Sequence, residues 1–139
     1  MYSELGLITN SILIGIMISF VAVTSPTVFK TLDSKNSQKF LRFIFPRLFN
    51  FCTIISAFTV FMFYLGEFFF GTISSIAVTM AFLINTYVLT PKINEMRDLS
   101  LAGDTRAKKS FKNLHLASVV LYLFNILCAI FVIIIFYTF

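Results

Sequence analysis

The chain has no tryptophan, one histidine and two cysteines, and only 12% of its 139 residues are charged. Soluble domains carry roughly 25% charged residues, so half of the usual polar coat is missing. Each absence removes a class of chemistry. A single histidine, His115, cannot supply two axial ligands to a haem within one chain. Cys52 and Cys128 belong to different apolar runs and lie at different depths, beyond the short reach of a disulfide. There is no CxxC, no HExxH, no glycine-rich phosphate loop and no nucleophile elbow. The six acidic residues all fall outside the long apolar runs. A proton-coupled exporter built on a membrane-embedded carboxylate is therefore disfavoured.

What is present is mostly hydrocarbon. Hydrophobic residues make up 58% of the chain, nineteen residues are phenylalanine, and the mean hydropathy is +0.92. A soluble domain of about 150 residues buries only about 70% of the surface its unfolded chain exposes. That is too little to hide this much apolar surface, so the bilayer is the fitting solvent. A spanning helix needs roughly 20 apolar residues. Residues 5–25, 48–65, 70–90 and 114–139 provide four such runs, none containing Asp, Glu, Lys or Arg. Glu67 stands alone between the second and third, in the turn GEFFFG. The first run has no basic residue before it and is longer than a signal-peptide core. These features predict an all-α polytopic membrane protein. One domain, 1–139, holds four transmembrane helices in an up-down-up-down bundle.

The positive charge is confined. All eleven Lys and Arg residues lie in 30–47 and 92–112. With four spans, loops 26–47 and 91–113 share one side, and the positive-inside rule predicts that this side is cytoplasmic. Both termini and Glu67 then face the non-cytoplasmic side. The same rule accounts for the net charge of +5, so no nucleic-acid partner is expected. Ser34 is a candidate cap for a helix from about Lys35. Lys35, Gln38, Lys39 and Arg42 alternate at helical spacing with Phe40, Phe43 and Ile44, which predicts an amphipathic interfacial segment. Pro46 is expected to start or kink the second span. Gly103 breaks the chain, and Asp104 is a candidate cap for the last helix. The third and fourth helices are expected to extend past the membrane on the cytoplasmic side.

Polar residues within spans predict inward faces. His115, Ser118, Tyr122 and Asn125 share one face of the last helix. Ser75, Thr79, Phe82 and Thr86 share one on the third, and Thr53, Ser56 and Thr59 form a weaker set on the second. Ser11, Gly15 and Ser19 form a small-residue stripe that invites close helix packing. Pro26, Pro46 and Pro91 all mark the basic boundary, where each frees backbone carbonyls. The candidate site is therefore at that end: Arg47, Asn85, Asn94, Arg97, His115 and Ser118, with Lys92 nearby. An anionic lipid headgroup or a small carboxylate solute suits such a cluster. No catalytic, cofactor-binding or metal-ligating residues are expected.

Three runs carry a resemblance: SPTVFKTLDSKNSQKFLRFIFPRLF (25–49), LINTYVLTPKINEMRD (83–98) and FKNLHLASVVLYLFNIL (111–127). Their shared pattern falls on Pro26, Phe29, Leu32, Phe45, Pro46, Asn85, Pro91, Asn94, Arg97, Phe111, Leu114, His115 and Ser118. In order and spacing the chain resembles the family of transmembrane protein 205. That resemblance implies a four-helix membrane domain without an assigned biochemical activity. The layout is also similar to haem-associated protoporphyrinogen oxidases, whose second histidine setting this chain lacks.

The resulting expectation is a non-enzymatic integral membrane protein that binds or moves a small solute or lipid at its cytoplasmic end, as a homo-oligomer. One alternative is a haem- or quinone-linked redox protein with His115 as axial ligand. Another is a membrane assembly or scaffold subunit.

Overall fold

A computed structural model describes residues 1–138 as four long helices: α1 (Tyr2–Thr31), α2 (Ser34–Leu65), α3 (Phe69–Leu101) and α4 (Thr105–Thr138). Phe139, which closes the fourth apolar run, lies outside the described residues. All four helices are long and apolar enough to cross a membrane. At a rise of about 1.5 Å per residue they are roughly 45–50 Å long, against about 30 Å of bilayer hydrocarbon. The surplus stands at the basic end. There α2 begins fourteen residues before the charge-free run, at Ser34, and the end of α3 and the start of α4 carry Lys92, Arg97 and Arg106.

The connections follow from local chemistry. Asp33, one residue earlier than the expected Ser34, caps α2 by accepting from the Asn36 N–H at 2.8 Å. Asp104 caps α4 as expected, its carboxylate accepting from the Arg106 and Ala107 N–H groups at 2.8 and 3.0 Å. The ends of α2 and α3 are closed by the same paired hydrogen bonds. The Phe68 N–H donates to the Phe63 carbonyl and Glu67 to Tyr64; Asp104 donates to Leu99 and Gly103 to Ser100. Such a closure places one residue in the left-handed region, normally glycine. Gly103 meets that requirement with φ +100°, whereas Glu67 adopts φ +56° with a full side chain.

All three prolines sit inside helices without ending them. Pro26 and Pro91 lack an N–H and crowd the carbonyl four residues back. In both cases the chain opens into a π turn just before the proline, at Phe20–Thr24 and Asn85–Leu89. The Ser25 N–H reaches back to the Phe20 carbonyl, and the Thr90 N–H to that of Asn85. The extra residue in each turn lets the helix continue. Pro46, expected to start or kink the second span, lies in the interior of the unbroken α2.

The two π turns are one sign of an internal repeat. Gly6, Asn10, Leu13, Met17 and Phe20 on α1 are buried, and so are Gly71, Ser75, Val78, Phe82 and Asn85 on α3, at one constant offset. Ser25-Pro26 and Thr90-Pro91 keep that offset, as do Asp33 and Asp98. On the other two helices, Phe49, Cys52, Ser56 and Thr59 correspond in the same way to Tyr122, Asn125, Ala129 and Val132. The helices pack in a ring, α1 on α2, α2 on α3, α3 on α4 and α4 on α1, with no Cα pair within 8 Å across either diagonal among the described residues. The molecule is thus two similar hairpins, α1–α2 and α3–α4, facing each other about the bundle axis.

Glycine makes the closest approaches. Phe63, wholly buried, presses against Gly6 and Gly71, where a Cβ would overlap its ring. Polar faces meet inside: the Thr79 hydroxyl of α3 donates to Ser56 Oγ of α2 at 2.9 Å, and the Thr59 hydroxyl of α2 to Thr9 Oγ1 of α1 at 2.8 Å. Asn125 is fully buried, and neither its amide nitrogen nor its oxygen has a partner among the described residues. The Ser11, Gly15 and Ser19 stripe differs from expectation. All three are exposed, and nothing approaches Gly15 within 4 Å. The inward face of α1 is instead the one through Asn10, Leu13 and Met17.

The two seams between hairpins are unequal. Between α2 and α3, the Thr79–Ser56 bond, a Tyr87 hydroxyl on Asn50 Oδ1 at 3.2 Å, and a two-pronged Arg42–Asp98 ion pair at 2.6 and 3.2 Å hold the full length. Between α4 and α1, the Asn10 amide donates to the Ala129 carbonyl at 2.8 Å and the Tyr122 hydroxyl to that of Met17 at 3.1 Å. Beyond Met17 the seam parts: no Cα of residues 20–31 comes within 8 Å of α4.

Two outcomes are expected. Glu67→Gly removes the left-handed strain and raises stability by about 1 kcal/mol, read as a higher Tm in detergent; an unchanged or lower Tm contradicts the turn geometry. The Arg42–Asp98 pair gives a pH signature. The Arg42 guanidinium holds the Asp98 carboxyl below its ordinary range, chiefly through their hydrogen bond. A depressed carboxyl pKa adds stability that is fully present above the unfolded value, about 3.9, and lost as the pH falls through the folded value. Asp98→Asn therefore lowers Tm at neutral pH, by a small amount because the pair is exposed. The gap from wild type closes in acid, and a gap that persists there argues against the pair.

Candidate functional site

Where the α1–α4 seam parts, a cleft of about 490 Å³ opens into the basic end of the bundle. All four helices line it. Its floor is the Tyr122–Met17 hydrogen bond, with Phe49 packed 6.0 Å from the Tyr122 ring. An aromatic ladder climbs from there, Phe49 to Phe45 at 5.5 Å and Phe45 to Phe20 at 5.3 Å. Val21, Val119 and Leu123 stand at its lateral edge, each more than two-fifths exposed, so the cleft is open sideways toward the surroundings of the bundle.

The internal repeat explains both why the cleft lies here and why it opens on one side. It sits on the axis relating the hairpins, so equivalent positions reach it twice: Ser25 with Thr90, Phe29 with Asn94, Arg42 with His115, Phe45 with Ser118, and Phe49 with Tyr122. On the closed seam Arg42 is tied to Asp98. The equivalent pair on the open seam is His115 and Asp33, and they are not joined. Asp33 is occupied in capping α2, while the His115 ring stacks on Phe111, 5.9 Å away and 10° from parallel. The guanidinium of Arg97 lies over the same Phe111 ring at 4.8 Å. The mouth is thus a layered set, Arg97, Phe111 and His115, above an aromatic shaft.

Four of the six residues expected at this end line the cleft: Asn94, Arg97, His115 and Ser118. Asn85 lies beneath them, wholly buried, and accepts from the Ser118 hydroxyl at 2.7 Å while its amide reaches the Ser118 carbonyl at 3.4 Å. This exchange ties the π turn of α3 to α4. Arg47 lies outside the cleft. Its guanidinium turns back along α2 to the Phe43 carbonyl at 3.4 Å and the Phe43 ring at 5.7 Å. Lys92 is exposed and also lies outside it. Arg42 and Gln38 reach the cleft in their place. The amphipathic spacing of 35–44 already set Arg42 and Gln38 on one face of α2. What the spacing lacked was how far the interfacial helix continues straight into the span, carrying that face over the bundle axis.

Chemically, the arrangement offers hydrogen-bond donors and a cation at the mouth and phenyl rings below. Among the described residues no group of three or more His, Cys, Asp and Glu side chains could hold a metal ion. The lining is polar at the mouth and aromatic below.

No curated protein and no solved structure matches the chain at a significant level. The family that does match carries the description Domain of unknown function (DUF4149), and it covers residues 8–102, from the first turns of α1 through both π turns to the end of α3. The chain, four membrane-spanning helices with an axial cleft at their basic end, belongs to that family.

Proposed function

We propose that this protein is a non-enzymatic membrane component that binds an amphiphile in the axial cleft, with the tail among the phenyl rings and the polar head at the basic mouth. The observation that carries the reading is the lateral opening between α1 and α4, which joins an aromatic-walled cavity directly to the surface a bilayer would cover. A volume of about 490 Å³ is within the usual range for small-molecule sites, about 300–1,000 Å³. A water-soluble ligand would need an axial entrance and polar walls. Here the polar atoms gather at one end. In this reading the basic end faces the cytoplasm, where the positive-inside rule places it, and the frame is that of the transmembrane protein 205 resemblance. The unpacked stripe Ser11, Gly15 and Ser19 offers a second copy a close contact in a homo-oligomer.

The test is where lipid sits. The full-length protein in nanodiscs, exposed to a lipid with a photoactivatable group on its tail, is expected to be labelled at Val21, Val119 and Leu123 above the other lipid-facing residues. Val119→Trp fills the opening and removes that preference while the helical circular dichroism stays unchanged. Uniform labelling along all four helices defeats the proposal. A Soret band in the purified protein, lost in His115→Ala, replaces it with the haem-linked alternative.

A further inference from the structure

We infer that the amphiphile bound in the cleft is single-tailed and carries one negative charge on an oxygen-bearing head, and that Arg97 is the residue that reads the head. The inference rests on the cleft reading above and narrows it to a class of ligand.

The charge follows from what is already neutralised. The titratable side chains lining the cleft are Arg42, Arg97, His115 and Tyr122, and the Tyr122 hydroxyl is a neutral donor to the Met17 carbonyl. Arg42 is engaged on both prongs by Asp98, so that pair contributes no net charge. Arg97 has no ion pair among the described residues. One uncompensated guanidinium matches one anionic charge. A doubly charged phosphate would need a second cation beside Arg97, from His115 or from an Arg42 that had abandoned Asp98.

The geometry of Arg97 adds the head's shape. The centre of its guanidinium sits over the Phe111 ring, 4.8 Å from the ring centre. That contact consumes none of the N–H donors of the guanidinium fork. Two parallel N–H groups in one plane fit two oxygens of a carboxylate or a phosphodiester. Phe111 is held in turn by the parallel His115 ring on α4. Arg97 is therefore oriented before any ligand arrives, which lowers the cost of ordering it on binding. His115, Asn94 and Gln38 surround the mouth with further hydrogen-bonding groups.

The tail count follows from the shaft. The aromatic ladder runs in single file, Phe20, Phe45, Phe49, and ends on the Tyr122–Met17 bond. One hydrocarbon chain can lie along it. A second chain would stay outside in the seam.

The experiment measures binding to the full-length protein in detergent by thermal shift and native mass spectrometry. Oleate and oleoyl lysophosphatidylglycerol carry the proposed head chemistry, one as carboxylate and one as phosphodiester. Methyl oleate keeps the tail without the charge, dioleoyl phosphatidylglycerol doubles the tail, and acetate has the head alone. The expected result is that at least one of the two single-tailed anions binds roughly ten- to hundredfold more tightly than methyl oleate. Their ranking assigns the head as carboxylate or phosphodiester. Arg97→Ala brings both down to the methyl oleate level, and Arg97→Lys restores them only in part. If methyl oleate binds as well as oleate and lysophosphatidylglycerol in wild type, the cleft reading stands and the head assignment is overturned. Dioleoyl phosphatidylglycerol binding as tightly as its single-tailed form overturns the tail count. Acetate alone binding as tightly as oleate overturns both. If no amphiphile, charged or neutral, binds, the cleft reading itself fails.

Discussion

Inside a bilayer there is no water to satisfy a stray backbone group, and each one left open costs several kcal/mol. The shape of this protein depends on how it meets that demand at Pro26 and Pro91. Each proline withdraws an N–H from a helix that continues past it. Each is preceded by a hydroxyl residue and a π turn, in which the hydroxyl residue's own N–H reaches five residues back. The helix survives with one residue added. That residue rotates everything beyond it, so the face that packs inward before the turn is not the face that packs inward after it. Within each hairpin the turn makes the equivalent contact: Asn85 bonds to Ser118 of α4, and Phe20 packs on Phe45 of α2. The two ends differ across the other seam. The end of α3 stays on α2 through Tyr87–Asn50 and Arg42–Asp98, whereas residues 20–31 do not approach α4, and the cleft is the space left between them.

How much of this is legible in the sequence depends on the scale of the signal. The four spans are carried by hydropathy over some twenty residues each, which neighbouring packing does not override. The polar face of α4 is likewise set by helical periodicity, and Ser118, Tyr122 and Asn125 do point inward. The caps are local chemistry: Asp104 is plain from its neighbours, and Asp33 takes the role from Ser34 because its carboxylate is the stronger acceptor for an N–H. The π turns carry no such periodic mark. A proline reads as a boundary, and only the tertiary partners of Asn85 and Phe20 show that the helix passes through.

Arg47 shows a different limit. Its position beside Pro46, at the inner edge of a span, makes it a natural member of a polar cluster. A side chain on a helix is committed to one direction, however, and Arg47 lies on the outer side of α2, over Phe43. Arg42 is more than a turn earlier and looks like an interfacial anchor in sequence, yet it projects over the axis. The difference between the two is a rotation about the helix axis. That rotation is fixed by which buried residues of α2 meet the core, Phe49, Cys52 and Ser56, rather than by the charges themselves. The stripe of Ser11, Gly15 and Ser19 fails to pack inside for the same reason: the larger apolar face of α1 wins the interior, since burying Leu13 and Met17 brings more contact than burying serine and glycine.

The internal repeat turns these separate facts into one argument about asymmetry. Two similar hairpins around an axis would, with identical residues, give a symmetric cleft closed or open equally on both seams. The residues at equivalent positions have separated by polarity. Phe20, Phe29, Phe45 and Phe49 in the first hairpin stand opposite Asn85, Asn94, Ser118 and Tyr122 in the second. In the second hairpin Asn85 and Ser118 bond to each other and Tyr122 bonds across to Met17. These directional bonds fix α3 against α4 and set the floor. Phenyl rings make no directional bond, so the first hairpin offers an apolar wall able to accept a flexible chain without leaving a polar group unpaired. A cation survives unpaired only at the end where solvent and headgroups reach it, and that is where Arg97 stands. The polarity of the cleft along its axis, and the difference between its two walls, thus share one origin: two similar hairpins that carry residues of different polarity at equivalent positions.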